Sequence, residues 1–123
     1  GLATDELYLI RAEANAISGK TADAINDINQ LLENRYVAGT FTPLTPGTPA
    51  DVLQLVRNER RKELAFRGLR WSDLRRYNRE GANITLQRVL NGTTYTLPPN
   101  SKLYVLPLPP EVITLGGLVN NDR

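Results

Sequence analysis

Apolar residues recur at spacings of three and four through the first two-thirds of the chain and at a spacing of two further on. Leu7, Ile10, Ala14 and Ile17 form the first helical stripe, which predicts a helix over residues 4–18. Thr4 is its expected N-cap, Asp5 and Glu6 suit the positive end of the helix dipole, and Gly19 is its stop. A second helix is expected over residues 22–36, capped by Thr21, with Ile25, Ile28, Leu31 and Leu32 on its apolar side. Only a short Gly19-Lys20-Thr21 link separates the two, so they should run antiparallel as neighbours, with Ala12, Ala14 and Ala16 allowing close approach. Residues 1–36 therefore read as a helix hairpin of the tetratricopeptide type. One such unit cannot bury its faces alone and must lean on something else.

Residues 37–49 are a loop rich in proline and glycine. Thr48 then caps a third helix, with Pro49 at the first helical position and Asp51 three residues after the cap. This helix is expected to end near Gly68, and residues 71–76 to restart as a short fourth helix with Trp71 and Leu74 facing inward. Beyond Tyr77 the period changes. Residues 84–90 and 93–97 flank Asn91-Gly92, a pair that accepts the left-handed backbone of a type I′ turn, so a β-hairpin is expected there. Pro98-Pro99 ends it. A short extended run over 103–106 precedes the 107–110 segment, whose three prolines exclude both helix and central strand. Residues 111–115 suit a single helical turn, and 118–123 a tail. The expected fold is mainly α and a single domain over 1–123: a helix hairpin (1–36) on a pair of helices (48–77), followed by a β-hairpin and an irregular proline-rich segment (84–123).

Residues 56–79 set the charge pattern. This stretch carries eight arginines, at 57, 60, 61, 67, 70, 75, 76 and 79, against a single lysine, Lys62. Guanidinium pairs with carboxylate as a planar fork, whereas ammonium is a compact point charge. At about 100° per residue, Val52, Leu55, Val56 and Phe66 fall on one face of the third helix, with Glu59 and Glu63 in the middle of it. Two carboxylates inside an apolar stripe repel each other and are costly to bury unpaired. Arg60, Arg67, Arg70 and Arg75 are the candidate partners. The expected result is a structural ion-pair network of Glu59, Arg60, Glu63, Arg70, Asp73 and Arg75.

Bulk composition changes this picture little. With 15 Lys and Arg against 13 Asp and Glu, the net charge is +2 and by itself implies no polyanion partner. Acids interleave with the arginines and the arginines scatter around the helical wheel, which argues against a nucleic-acid face. The chain has no cysteine and no histidine, which removes thiol nucleophiles, disulfides, thiolate metal sites and the commonest general base and metal ligand. Glu59 and Glu63 have a spacing that could suit a glycosidase pair, but neighbouring arginines favour the ionised form of both, and a general acid must hold its proton. Trp71 is expected in the core. Tyr36, Phe41, Tyr77 and Tyr95, in loops or at element ends, are the aromatics placed to meet a ligand. The chain contains no methionine and opens at Gly1, so it is read as part of a longer protein.

The central stretch resembles the C-terminal signature of the SusD/RagB family. Arg57, Glu59, Arg60, Arg61, Glu63, Leu64, Ala65, Phe66, Gly68, Arg70, Trp71, Asp73, Leu74 and Arg76 match its pattern, and LYLIRAEAN (7–15) and LPLPPEVI (106–113) are similar to flanking family segments. Arg67 departs from it, standing where the family usually has glutamate, and LGGLVNND lacks the usual closing pattern. The resemblance implies an outer-membrane, nutrient-binding lipoprotein of Bacteroidetes, of which this chain is the C-terminal portion. It further implies a binding protein rather than an enzyme, with no cofactor. Such a protein works with a TonB-dependent, SusC-like transporter and binds an oligosaccharide or other nutrient mainly through residues outside this stretch. Its anchor is an N-terminal lipid, and its face is extracellular. The other reading, from the helix pair alone, is a helical repeat module that binds a protein partner and no glycan.

Overall fold

The computed structural model describes residues 3–122, which form five helices and one two-stranded antiparallel sheet. The chain divides into two compact units, Gly1–Leu69 and Arg70–Arg123.

The first unit holds α1 (Thr4–Ile17), α2 (Thr21–Glu33) and α3 (Pro49–Glu63). Helix α1 ends in a Schellman motif. The Lys20 N–H donates to the Asn15 carbonyl at 2.9 Å and the Gly19 N–H to the Ala16 carbonyl at 3.1 Å, with Gly19 at φ +75°. That turn brings α2 back along α1, and both pack on α3. The caps of the first two helices lie one residue earlier than expected: Ala3 and Lys20 hold the N-cap positions, neither with a side-chain cap bond, and Thr4 and Thr21 begin the helices. Helix α3 starts as expected. The Thr48 hydroxyl accepts from the Asp51 N–H at 3.3 Å and donates to the Asp51 carboxylate at 2.6 Å, with Pro49 next to it. Thr48→Ala is expected to cost about 1 kcal/mol of stability, read from chemical denaturation. A loss indistinguishable from zero would mean the cap is not formed in solution.

The core of this unit is Leu9, Ala12, Ala16, Ala24, Ile25, Ile28, Leu31, Val52, Val56 and Leu64. For α2 the expected stripe is the observed one, with Leu32 only partly buried. For α1 it is not. Leu7, Ile10 and Ile17 are exposed, Ile10 by 50%, and Leu9, Ala12 and Ala16 turn inward instead. The helix is apolar on two sides, so its period is compatible with either. Glu13 on the inner side hid the true one, because a glutamate reads as solvent-facing until a partner is known. Helix α3 also stops sooner than expected. Leu64 is its C-cap, and past it Phe66 adopts a left-handed φ of +62° and stands fully exposed, off the face the wheel assigned to it. A wheel extended beyond the last helical residue carries no phase information. The loop after α2 is tied down at one point: the Asn29 side-chain amide donates to the Leu44 carbonyl (2.9 Å) and its oxygen accepts from the Leu44 N–H (2.8 Å).

The second unit contains α4 (Arg70–Arg79), the strands β1 (Leu86–Leu90) and β2 (Thr93–Leu97), a 3₁₀ turn (Lys102–Tyr104) and α5 (Pro110–Gly116). The β1–β2 pairing runs from Leu86 opposite Leu97 to Leu90 opposite Thr93. Asn91 (φ +48°) and Gly92 (φ +77°) supply the two positive φ angles a type I′ turn requires. The 3₁₀ turn replaces the start of the extended run expected from Leu103. The Ser101 hydroxyl oxygen accepts from the Leu103 N–H and curls the chain there. The inner face of the unit is built on Leu74, Tyr77, Asn78 and Tyr104. Asn78 is its polar hub: its amide donates to the Ile84 carbonyl (3.1 Å), its oxygen accepts from the Ile84 N–H (2.7 Å), and its own carbonyl accepts from Asn100 (3.3 Å). The closing residues fold back onto the 106–108 segment through Asn120, which accepts from the Leu108 N–H, and Asn121, which donates to the Leu106 carbonyl.

Candidate functional site

The arginine-rich helix meets α1 along a seam of ion pairs. Arg57 reaches Glu13 at 3.1 Å, Arg60 reaches Glu6 at 3.3 Å, and Arg67, just past the helix, reaches Asp5 at 2.9 Å. Partner numbers fall along α1 as they rise along α3, so the two helices run antiparallel. Glu13 and Arg60 are buried, and each meets a counter-charge across the helix interface. A second group forms between α2 and α3: Arg35 grips both oxygens of Glu63, at 2.6 and 3.1 Å. Within the helix hairpin, Arg11 forks onto the buried Asp27 at 2.6 and 3.0 Å.

Of the six residues expected to form one network, Glu59 and Glu63 keep side chains that are only 13% and 16% exposed. Their partners differ from the expected ones. Glu59 is held by Lys62 at 2.5 Å and Glu63 by Arg35, because Arg60 faces α1 and Arg67 is drawn to Asp5. Asp73 faces Arg76 at 3.6 Å within α4. Arg70 is half-buried at the start of α4, and Arg75 is exposed. The expected network did not include Asp5, Glu6, Glu13, Arg35 and Arg57, nor the Arg11–Asp27 pair and Lys62. A signal was present: Glu6 and Glu13 are seven residues apart, on the same side of α1 as Leu9, Ala12 and Ala16.

Asp5 responds to pH through this seam. The Glu6 backbone N–H, 2.8 Å away, and the Arg67 guanidinium hold its carboxyl below the ordinary value of 3.8. A folded-state pKa below the unfolded one stabilises the fold above the unfolded pKa, and that stabilisation disappears as pH falls through the folded value. Melting temperature is therefore expected to drop as pH is taken below about 4, and Asp5→Asn to flatten part of that drop. Identical acid profiles for the two proteins would show that the interaction does not form in solution.

The aromatics at loops and element ends differ in exposure. Tyr36 and Phe41 pack on each other in the loop after α2, with ring centroids 5.3 Å apart. Tyr95 is exposed on β2 directly opposite Arg88. Tyr77 is buried and offers a ligand no surface. Trp71, expected in the core, is 37% exposed. It lies against Tyr104 with centroids 4.9 Å apart, and its indole N–H donates to the Tyr104 carbonyl at 3.1 Å. One edge of the ring is thus satisfied by the backbone while the other meets solvent, because Leu74 and Tyr77 take the inward positions of α4.

A family model described as the SusD family matches residues 5–121. The chain belongs to the SusD family. Among curated proteins it is 35% identical over 127 residues to SusD-like protein P2 of Formosa agariphila, a match covering 95% of this chain and 24% of that protein. Among solved structures it resembles a SusD-like protein from Bacteroides fragilis, with a TM-score of 0.60, 28% identity, and coverage of 95% of this chain and 24% of the other. The chain thus spans about a quarter of the length of these relatives. The mainly helical fold with a short antiparallel hairpin is a SusD-type arrangement, as the residues of the arginine-rich signature led one to expect.

Proposed function

We propose that the chain is part of a glycan- or nutrient-binding component of an outer-membrane uptake system. The observation that carries this reading is the family match over residues 5–121. Its role is binding without making or breaking bonds, and no cofactor enters it. In this reading the whole protein is a lipid-anchored protein on the outer face of the outer membrane and hands its ligand to a TonB-dependent, SusC-like transporter. No described helix is long and apolar enough to cross a membrane.

The uncovered side of α1, with Leu7, Ile10 and Ile17, favours a second contact, with protein rather than sugar. It keeps the alternative of a helical protein-interaction module in play. Electrophoresis through gels containing soluble polysaccharides separates the two. Retardation of the full-length protein by at least one glycan is expected, and its retardation by none, with a protein partner bound instead, would overturn the glycan reading.

A further inference from the structure

The arginines of the signature stretch are mostly satisfied. Arg57, Arg60, Arg67 and Arg76 each reach a carboxylate. Arg75 and Arg79 do not: neither has an ion pair or hydrogen bond among the described residues. They sit one helical turn apart on α4, so their like charges repel, and the neighbouring acid, Glu80, is engaged by Arg76 at 3.6 Å. Both line a cleft of about 230 Å³, closed on its other side by Asn100, Ser101, Lys102 and Tyr104. No carboxylate lines this cleft, although Lys102 is in contact with Asp122 at its edge. A second groove along α4, lined by Arg75, Arg76 and Arg79, contains Glu80, and the groove on which Arg61 opens on α3 contains Asp51 and Glu59; the cleft at the 100–104 turn has no such acid in its lining.

We propose that the cleft between α4 and the 100–104 turn binds an anionic group, a carboxylate or a sulfate, carried by the glycan; this rests on the glycan-binding reading above. Two guanidinium forks on one helix face match the paired oxygens of either anion. The Ser101 hydroxyl and the Asn100 amide stand beside them for neighbouring sugar hydroxyls. The rim is fixed before any ligand arrives. Asn100 holds a left-handed backbone (φ +58°) and is tied to the Asn78 carbonyl, while the Ser101 hydroxyl oxygen holds the Leu103 N–H. Preorganisation of this kind lowers the ordering cost of binding. The ligand class is therefore an acidic polysaccharide, uronate-bearing or sulfated, rather than a neutral one.

The test is an NMR titration at constant ionic strength with sodium sulfate, sodium glucuronate and glucose as separate probes. Saturable shifts at the amides of Arg75, Arg79 and residues 100–102 are expected with sulfate or glucuronate and not with glucose. The preferred anion identifies its source. Arg75→Ala with Arg79→Ala should weaken binding at least tenfold, and the double change to lysine should recover part of it. Both variants leave Leu74, Tyr77 and Asn78 in place, and circular dichroism checks the fold. No saturable shift, or equal binding by the alanine variant, overturns the proposal. Affinity gels with polygalacturonan, chondroitin sulfate and laminarin run in parallel. Retardation by laminarin alone, without anion binding in the cleft, leaves the glycan reading standing and removes this one. Anion binding in the cleft with no retardation by any glycan shows that no glycan carries the anion, and overturns both readings.

Discussion

Leu9→Ala is expected to lower the unfolding free energy of the 123-residue chain by about 3 kcal/mol, and Ile10→Ala by less than about 0.5 kcal/mol. The two side chains are adjacent in sequence, similar in size and on the same helix. They differ in where α1 points them. Leu9 is fully buried against α2 and α3, so truncation removes its transfer free energy and leaves a cavity. Ile10 is half exposed, and truncation removes contacts that solvent largely replaces. Urea denaturation of both variants measures the difference, with an unchanged slope as the check that the unfolding reaction is the same. Equal losses, or a larger one for Ile10, would mean that α1 is rotated about its axis and that the ion-paired seam is misassigned with it.

The second large effect lies in that seam. Glu13→Gln is expected to cost about 3 kcal/mol, because it removes the negative charge facing the Arg57 guanidinium where both side chains are largely dry. Glu63→Gln should cost less, about 1 kcal/mol, since Arg35 is 45% exposed and water can take over part of its solvation. Replacing Glu13 and Arg57 together by leucine should recover much of the first loss, because no buried charge is then stranded. A double-mutant cycle on Glu13 and Arg57 measures the coupling. A coupling below about 0.5 kcal/mol would place this pair with ordinary surface ion pairs.

Much of the local structure was legible. The Thr48-Pro49 start of α3, the Gly19 stop of α1 and the Asn91-Gly92 turn were all read correctly, because each depends on a few neighbouring residues whose backbone preferences are strong. The Ile25, Ile28 and Leu31 stripe of α2 was read correctly because that helix is apolar on one side only. The α1 phase, the end of α3 and the place of Trp71 were not. In α1 two apolar sides compete, past Leu64 the helical period no longer applies, and on α4 two other residues fill the inward positions.

The candidate site follows the same division. That the third helix carries half-buried acids among arginines, and that a SusD-type signature runs through it, is written in residue types and spacings alone. Which carboxylate each arginine holds is not, because ion pairs form across the interface between helices and depend on which faces meet. Glu13 and Arg57 are 44 residues apart along the chain, and no local rule joins them until α1 and α3 are packed antiparallel. Within the second unit, Arg75 and Arg79 form no ion pair among the described residues, so the chain supplied the charges and the tertiary structure decided which were neutralised.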